Sequence, residues 1–199
     1  GTVQARHTRL PQLRQLGHLH ATLDRLRDTP LDVRGSAWVV YDRQDFSDPR
    51  GEIAFFPQET VTGSTAVGGQ TNLGGALGAH QLPGLYLGAG HERFTEEDKL
   101  DPGLAIPHRP RLRGTIAAED EVLLFAERVS LLPGIRWEIY RDDFPGTPGV
   151  PAPMQASGVQ VQDFLSPRLG VRVEPWPGVA VLGNLGRYPR VPNLTDLFG

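Results

Sequence analysis

Apolar and polar residues alternate along most of the chain. In Ile135-Arg136-Trp137-Glu138-Ile139-Tyr140, Ile135, Trp137 and Ile139 take one side and Arg136, Glu138 and Tyr140 the other. Leu169, Val171 and Val173 alternate with Gly170, Arg172 and Glu174, and Leu19, Ala21 and Leu23 with His18, His20, Thr22 and Asp24. Leu85, Leu87 and Ala89 alternate with Tyr86, Gly88 and Gly90. A period of two with one apolar side describes a strand whose faces meet different surroundings. The pattern predicts eight strands, roughly 10–26, 33–46, 59–78, 84–97, 110–126, 134–143, 161–175 and 178–188. The stretch Gly63 to Gly78 is rich in glycine and alternates poorly, so its register is the least specified.

Several of these runs are longer than the usual ~5–6 residues of a globular strand. The connections between them alternate in length. Asp28 to Leu31, His80 to Pro83, Glu127 to Pro133 and Pro175 to Pro177 are short, whereas Ser47 to Gln58, Thr95 to Arg109 and Asp142 to Gln160 are long. An up-and-down meander across a membrane sorts its connections this way, with tight turns at one end and long loops at the other. Prolines in the short connections fit turns, since proline fixes φ and cannot extend a ladder. Pro145 to Pro153 reads as a surface loop.

Composition narrows the class. The 199 residues contain 24 Gly and 18 Pro, too many helix breakers for a helical protein. Hydrophobic content is 39% and the net charge is −3 with no basic stripe, which argues against a nucleic-acid partner. There is no cysteine, which removes disulfides, thiolate metal sites and cysteine nucleophiles. No apolar run is long enough for a transmembrane helix, but a transmembrane strand needs only one apolar face.

Candidate chemistry is sparse. His18 and His20 share a strand face and can approach one metal, yet no third ligand is placed near them, and a wet wall is the better reading. Thr95-Glu96-Glu97-Asp98-Lys99-Leu100-Asp101 is acidic but lacks the spacing of a calcium loop, and reads as solvated. Arg111, Arg113, Glu119 and Glu121 share one face, as do Arg172 and Glu174, so cross-strand ion ladders are expected there. Trp38, Trp137 and Trp176 are candidate anchors at a membrane–water boundary, Trp176 foremost. No Gly-x-Ser-x-Gly, His-Glu-x-x-His or phosphate-binding loop occurs, and no enzyme, cofactor or metal site is expected.

The most specific stretch is Ser166-Pro167-Arg168-Leu169-Gly170-Val171-Arg172-Val173-Glu174-Pro175-Trp176, followed by Val179 to Tyr188 and by Pro189 to Gly199 with its Leu194-Thr195-Asp196-Leu197-Phe198-Gly199 ending. Phe46-Ser47-Asp48-Pro49-Arg50-Gly51-Glu52, Leu132 to Glu138 and Ala118-Glu119-Asp120-Glu121 add to it. This ordered set resembles the β-barrel of TonB-dependent receptors over most of residues 10–199. The resemblance implies an all-β antiparallel meander of about eight strands, part of an outer-membrane barrel of about 22 strands. As a piece of it, residues 1–199 would form an open sheet. The resemblance also implies active uptake of a scarce ligand such as a siderophore or cobalamin. The implied partners are outer-membrane lipid, a plug domain inside the barrel and the TonB complex. No plug, TonB-contacting segment or barrel-closing strand is recognisable in the sequence, and the ligand and its contact residues are not legible.

Two other architectures fit the alternation. A complete eight-stranded outer-membrane barrel, structural or adhesive in role, requires the first and last strands to pair. A soluble all-β binding domain such as a sandwich requires the apolar stripe of Leu169, Val171 and Val173 to face a second sheet.

Overall fold

A computed structural model describes residues 7–24, 29–53, 55–101, 106–144 and 158–189. They form one sheet of nine strands: β1 (Gln12–Leu23), β2 (Leu31–Asp48), β3 (Gln58–Gly75), β4 (Gly84–Asp98), β5 (Ile106–Glu119), β6 (Val122–Leu124), β7 (Val129–Phe144), β8 (Gly158–Trp176) and β9 (Val179–Gly186). All pairings are antiparallel, in the order β1-β2-β3-β4-β5-β7-β8-β9 with β6 on β7. β1 and β9 are the two edges and do not pair, so the described residues form an open sheet and not a closed small barrel.

The expected strand 110–126 is present as β5 and β6, which are one strand with a break. Glu119 faces Gly134 and Val122 faces Leu131, so the register is unchanged across the gap. The continued register sets Asp120 between Pro83 and Pro133. Asp120 directs its backbone groups toward β7, where its N–H reaches the Pro133 carbonyl at 3.1 Å and Pro133 has no N–H to offer the Asp120 carbonyl. Below the break the ladder resumes. Leu82 and Glu121 exchange both backbone bonds, and Leu123 N–H reaches the His80 carbonyl at 2.8 Å. The connection 76–83 is thereby stitched to β6 rather than forming a free turn.

The long connections are shorter than the sequence pattern suggests. β2 continues to Asp48 and β4 to Asp98, while β5 begins at Ile106 and β8 at Gly158. In these extensions both faces are largely polar, so alternation fades although the ladder continues. The expected loop Pro145 to Pro153 and the terminal stretch 190–199 lie outside the described residues.

Register fixes the two faces. On one, Leu19 lies beside Ala37, Val33 beside Leu73, Leu87 beside Ile116, Trp137 beside Leu165, and Val171 beside Gly183. No second layer covers these residues: Leu19 is 71% exposed and Leu185 77%. The sandwich is therefore excluded for the described residues. Burial occurs on the opposite, polar face, at Phe94, Tyr140 and Phe144 together with Arg111, Thr115, Asp142 and Ser166. The register also staggers. It carries Leu23, the last residue of β1, across the sheet to Pro167, well inside β8. Such shear accompanies the tilted strands of a barrel wall.

Candidate functional site

The polar face holds two organised regions. Near the short connections, the row of residues facing one another reads Gly74, Gly84, Glu119, Gly134, Arg168, Gly186. The glycines leave no side chain between the charged residues. Arg168 therefore lies over Gly134 and pairs its guanidinium with Glu119 on the far side of β7. Beside them Arg136 donates to Glu138 at 2.8 Å and stands 5.7 Å from the centre of the Tyr86 ring. The Tyr86 hydroxyl donates to Gln70 at 2.9 Å. Glu119, Arg168, Arg136, Glu138 and Tyr86 line a hollow of about 800 Å³ that also includes Asp32, Arg34 and Ser166. Ser166 is buried at 7% exposure, and its hydroxyl has no hydrogen-bond partner among the described residues.

Further along the strands, toward the long connections, Arg111 and Asp142 face each other on β5 and β7. Their contact is bidentate, Nε to Oδ1 at 2.6 Å and Nη2 to Oδ2 at 2.9 Å, with both side chains buried. Tyr140 stacks edge-on against Phe164 with centroids 6.1 Å apart and lies 5.8 Å from the Arg111 guanidinium. The planar guanidinium matches the carboxylate fork, which satisfies a pair that burial would otherwise make costly.

At the end of β2, Asp48 organises the loop that follows. It is fully buried and accepts the backbone N–H groups of Glu52 and Ile53, each at 2.8 Å, and the Thr8 hydroxyl at 3.2 Å. Gly51 closes the turn with φ of +64°, and a Cβ there would come within 2.6 Å of the Phe56 backbone nitrogen. His7 adds a ring contact to Glu52 at 2.9 Å.

The residues singled out from sequence fall as follows. His18 and His20 both lie on the polar face of β1, and His20 contacts the Thr22 hydroxyl at 3.0 Å. Among the described residues no group of three metal-ligating side chains gathers. Glu96, Glu97 and Asp98 belong to β4 rather than to a loop, and Asp98 ends the strand by accepting the Leu100 N–H at 2.9 Å. Arg111, Arg113 and Glu119 share the polar face, and Glu121 accepts the Ser130 hydroxyl at 2.6 Å. Ion pairs run along strands as well as across them: Arg172 pairs with Glu174 at 3.0 Å and Arg43 with Asp45 at 2.9 Å.

Trp38 departs from its expected place. It sits on the polar face opposite His18 and Gly68, and its ring occupies the space a Gly68 side chain would need. Trp137 is on the apolar face, its indole donating to Asp163 at 3.2 Å. Trp176 stands at the β8–β9 turn, 68% exposed, at the same end as exposed Phe125 in the β6–β7 turn. The pair of aromatics marks one border of the apolar belt, as interfacial rings do. The other border is marked by charge. Arg43, Arg93, Arg141 and Asp163 are the first charged residues met on that face when β2, β4, β7 and β8 are followed away from their short connections.

Comparison with known proteins places this two-faced sheet. A family model described as "TonB dependent receptor-like, beta-barrel" matches residues 5–199. Among solved structures, one titled as the copper transporter OprC superposes with a TM-score of 0.74 at 15% identity. The overlap covers 93% of this chain and 33% of that one. A double mutant of the Serratia marcescens hemophore receptor HasR, solved with its hemophore HasA and heme, superposes with a TM-score of 0.65 at 16% identity, over 93% of this chain and 32% of the other. The chain thus spans about a third of the length of these structures. No curated protein matches the sequence.

Proposed function

This chain belongs to the TonB-dependent receptor family, as a segment of its outer-membrane β-barrel, and from that premise we propose that it forms the wall of a receptor for active uptake of a scarce ligand. The ligand class is a metal chelate or corrinoid: a siderophore, cobalamin or a compound of that kind. The apolar belt meets lipid and the polar face lines the lumen.

The observation that carries the proposal is the luminal hollow. A barrel wall with no occupant inside would leave the Arg168–Glu119 pair half in water. A plug domain of the same receptor packed against this hollow would cover that pair and meet its remaining donors and acceptors, since buried polar groups are ordinarily bonded. Energy for moving the plug comes from the TonB complex, acting through a part of the receptor outside this segment.

The test is uptake by cells that depend on the receptor carrying this segment, across a panel of ferric siderophores, cobalamin, heme and copper, with and without functional TonB. The proposal expects accumulation of one compound that falls to background when TonB is lost. Equal accumulation without TonB for every compound, or accumulation of none, overturns it.

A further inference from the structure

The lipid-facing belt is not uniform. On β2, β3, β4 and β5, four small residues stand side by side: Ala37, Gly69, Ala89 and Gly114. Larger apolar side chains bound them, with Leu19 at one end, Ile139 and Trp137 at the other, and Leu87 and Ile116 toward the short turns of β4 and β5, while Gly35 and Thr71 continue the floor on β2 and β3. The result is a mainly apolar groove of about 700 Å³.

Directly beyond the groove, toward the long loops, the same face turns basic. His91 and Arg93 follow Ala89 on β4, and His108 on β5 contacts Arg93 through its ring nitrogen. The neighbours of Arg93 on that face are Thr65, Pro110, His91 and Thr95, none of them acidic. Arg141 follows Ile139 on β7, two strands away, beyond Leu112. Among the described residues no carboxylate pairs with His91, Arg93 or Arg141. Of the acids on this face, Glu97 stands four residues beyond Arg93 on β4, Asp45 on β2 is taken up by Arg43, and Asp143 and Asp163 lie on the β7–β8 side, where Asp163 accepts the Trp137 indole.

We propose that this groove and its rim bind one membrane lipid that carries a phosphate headgroup. An acyl chain lies over Ala37, Gly69, Ala89 and Gly114, and the phosphate meets Arg93, His108 and His91. The geometry matches the molecule's two parts. The groove lies within the belt, where only hydrocarbon is available, and the cations begin where the belt ends. A basic side chain at a membrane surface favours an anionic headgroup by about 1 kcal/mol, or roughly fivefold in occupancy. A second barrel seated in the same groove would have no need of the basic rim. The inference does not depend on which compound the receptor transports.

The experiment is native mass spectrometry of the receptor carrying this segment, released from detergent after incubation with phosphatidic acid or phosphatidylcholine of identical chains. The wild type should retain one phosphatidic acid roughly fivefold more than phosphatidylcholine. The double variant R93Q/H108Q should bring the two lipids level. A89L, which fills the groove floor with a residue the belt tolerates, should lower retention of both while heat-modifiable migration shows the barrel still formed. Equal retention of the two lipids by the wild type overturns the proposal. So does an unchanged preference in R93Q/H108Q, or a receptor dimer that A89L dissociates.

Discussion

Arg168 on β8 passes over Gly134 on β7 to pair with Glu119 on β5. The pair spans two inter-strand steps, which a single sheet permits only where the middle strand carries no side chain. A Cβ on Gly134 would lie 2.8 Å from Arg168 Nε and 3.0 Å from its Cγ. The obstacle is a flexible side chain and not backbone, so G134A should fold. It should lift Arg168 off Glu119 and remove their coupling. Both partners are about half exposed, so the coupling itself is small, about 0.5 kcal/mol. A double-mutant cycle of R168Q and E119Q checks this: coupling is measurable on the Gly134 background and absent on G134A. Equal coupling on both would mean that the glycine is not what admits the contact.

The buried pair on the same face behaves differently. Removing one member of Arg111–Asp142 leaves a charge without its partner inside the packed region around Phe94 and Phe144. D142A should cost about 3 kcal/mol, and replacing both residues with apolar ones of similar size, R111M/D142L, should cost less than D142A alone. Midpoints of heat-modifiable unfolding in detergent rank the variants. A double variant less stable than the single one would contradict the desolvation argument.

The strands were legible in the sequence wherever one face was apolar. Ile135, Trp137 and Ile139 on β7, and Leu169, Val171 and Val173 on β8, occupy the side their alternation assigns. The resemblance of Ser166 to Trp176 pointed to the family that the match over residues 5–199 shows. Legibility failed where alternation carries no information. Above the belt, Ser47 and Asp48 on β2 and Thr95 to Asp98 on β4 are polar on both faces, so these strand ends read as parts of loops. Trp38-Val39-Val40-Tyr41 is apolar on both faces, and only the pairing of Trp38 with His18 and Gly68 shows which way the indole points. The break at Asp120 arises from Pro133 on β7, and Glu119 meets Arg168 across 49 residues of sequence. Both require the register. A glycine amid an alternating strand, such as Gly134, is the sequence signal that hints at such a crossing.

The loop after β2 supplies a test confined to one end of the barrel. Asp48 holds two backbone N–H groups, and Gly51 has both a left-handed backbone and no room for a side chain. D48A should cost about 1 kcal/mol through the lost hydrogen bonds. G51A should cost more, because a Cβ there meets the backbone of Phe56, which cannot swing away. Amide exchange at Glu52 and Ile53 reads both variants locally, and the order G51A faster than D48A faster than wild type is expected. Unchanged exchange in D48A would show that the carboxylate does not hold the loop.

The assignment of faces makes the strongest prediction, because leucines of the same strand should answer differently to the same change. Leu19 lies on the lipid side of β1 and Leu16 on the luminal side, although both are largely exposed on the sheet. An arginine at the middle of the lipid face costs roughly 2–4 kcal/mol, whereas a luminal arginine remains in water. L19R should therefore reduce the yield of assembled receptor in the outer membrane, and L16R should not. Leu87 and Ile116, both on the lipid side, should follow Leu19, while Leu182 on β9 should follow Leu16, since it faces Arg172 on the polar side. Tryptophan fluorescence gives the same contrast without a charge. In variants retaining one tryptophan, Trp137 should be quenched by bromine-labelled acyl chains, and Trp38, over Gly68 on the luminal face, by a water-soluble quencher instead. Quenching of Trp38 by the labelled lipid would invert the two faces and, with them, the luminal hollow around Ser166.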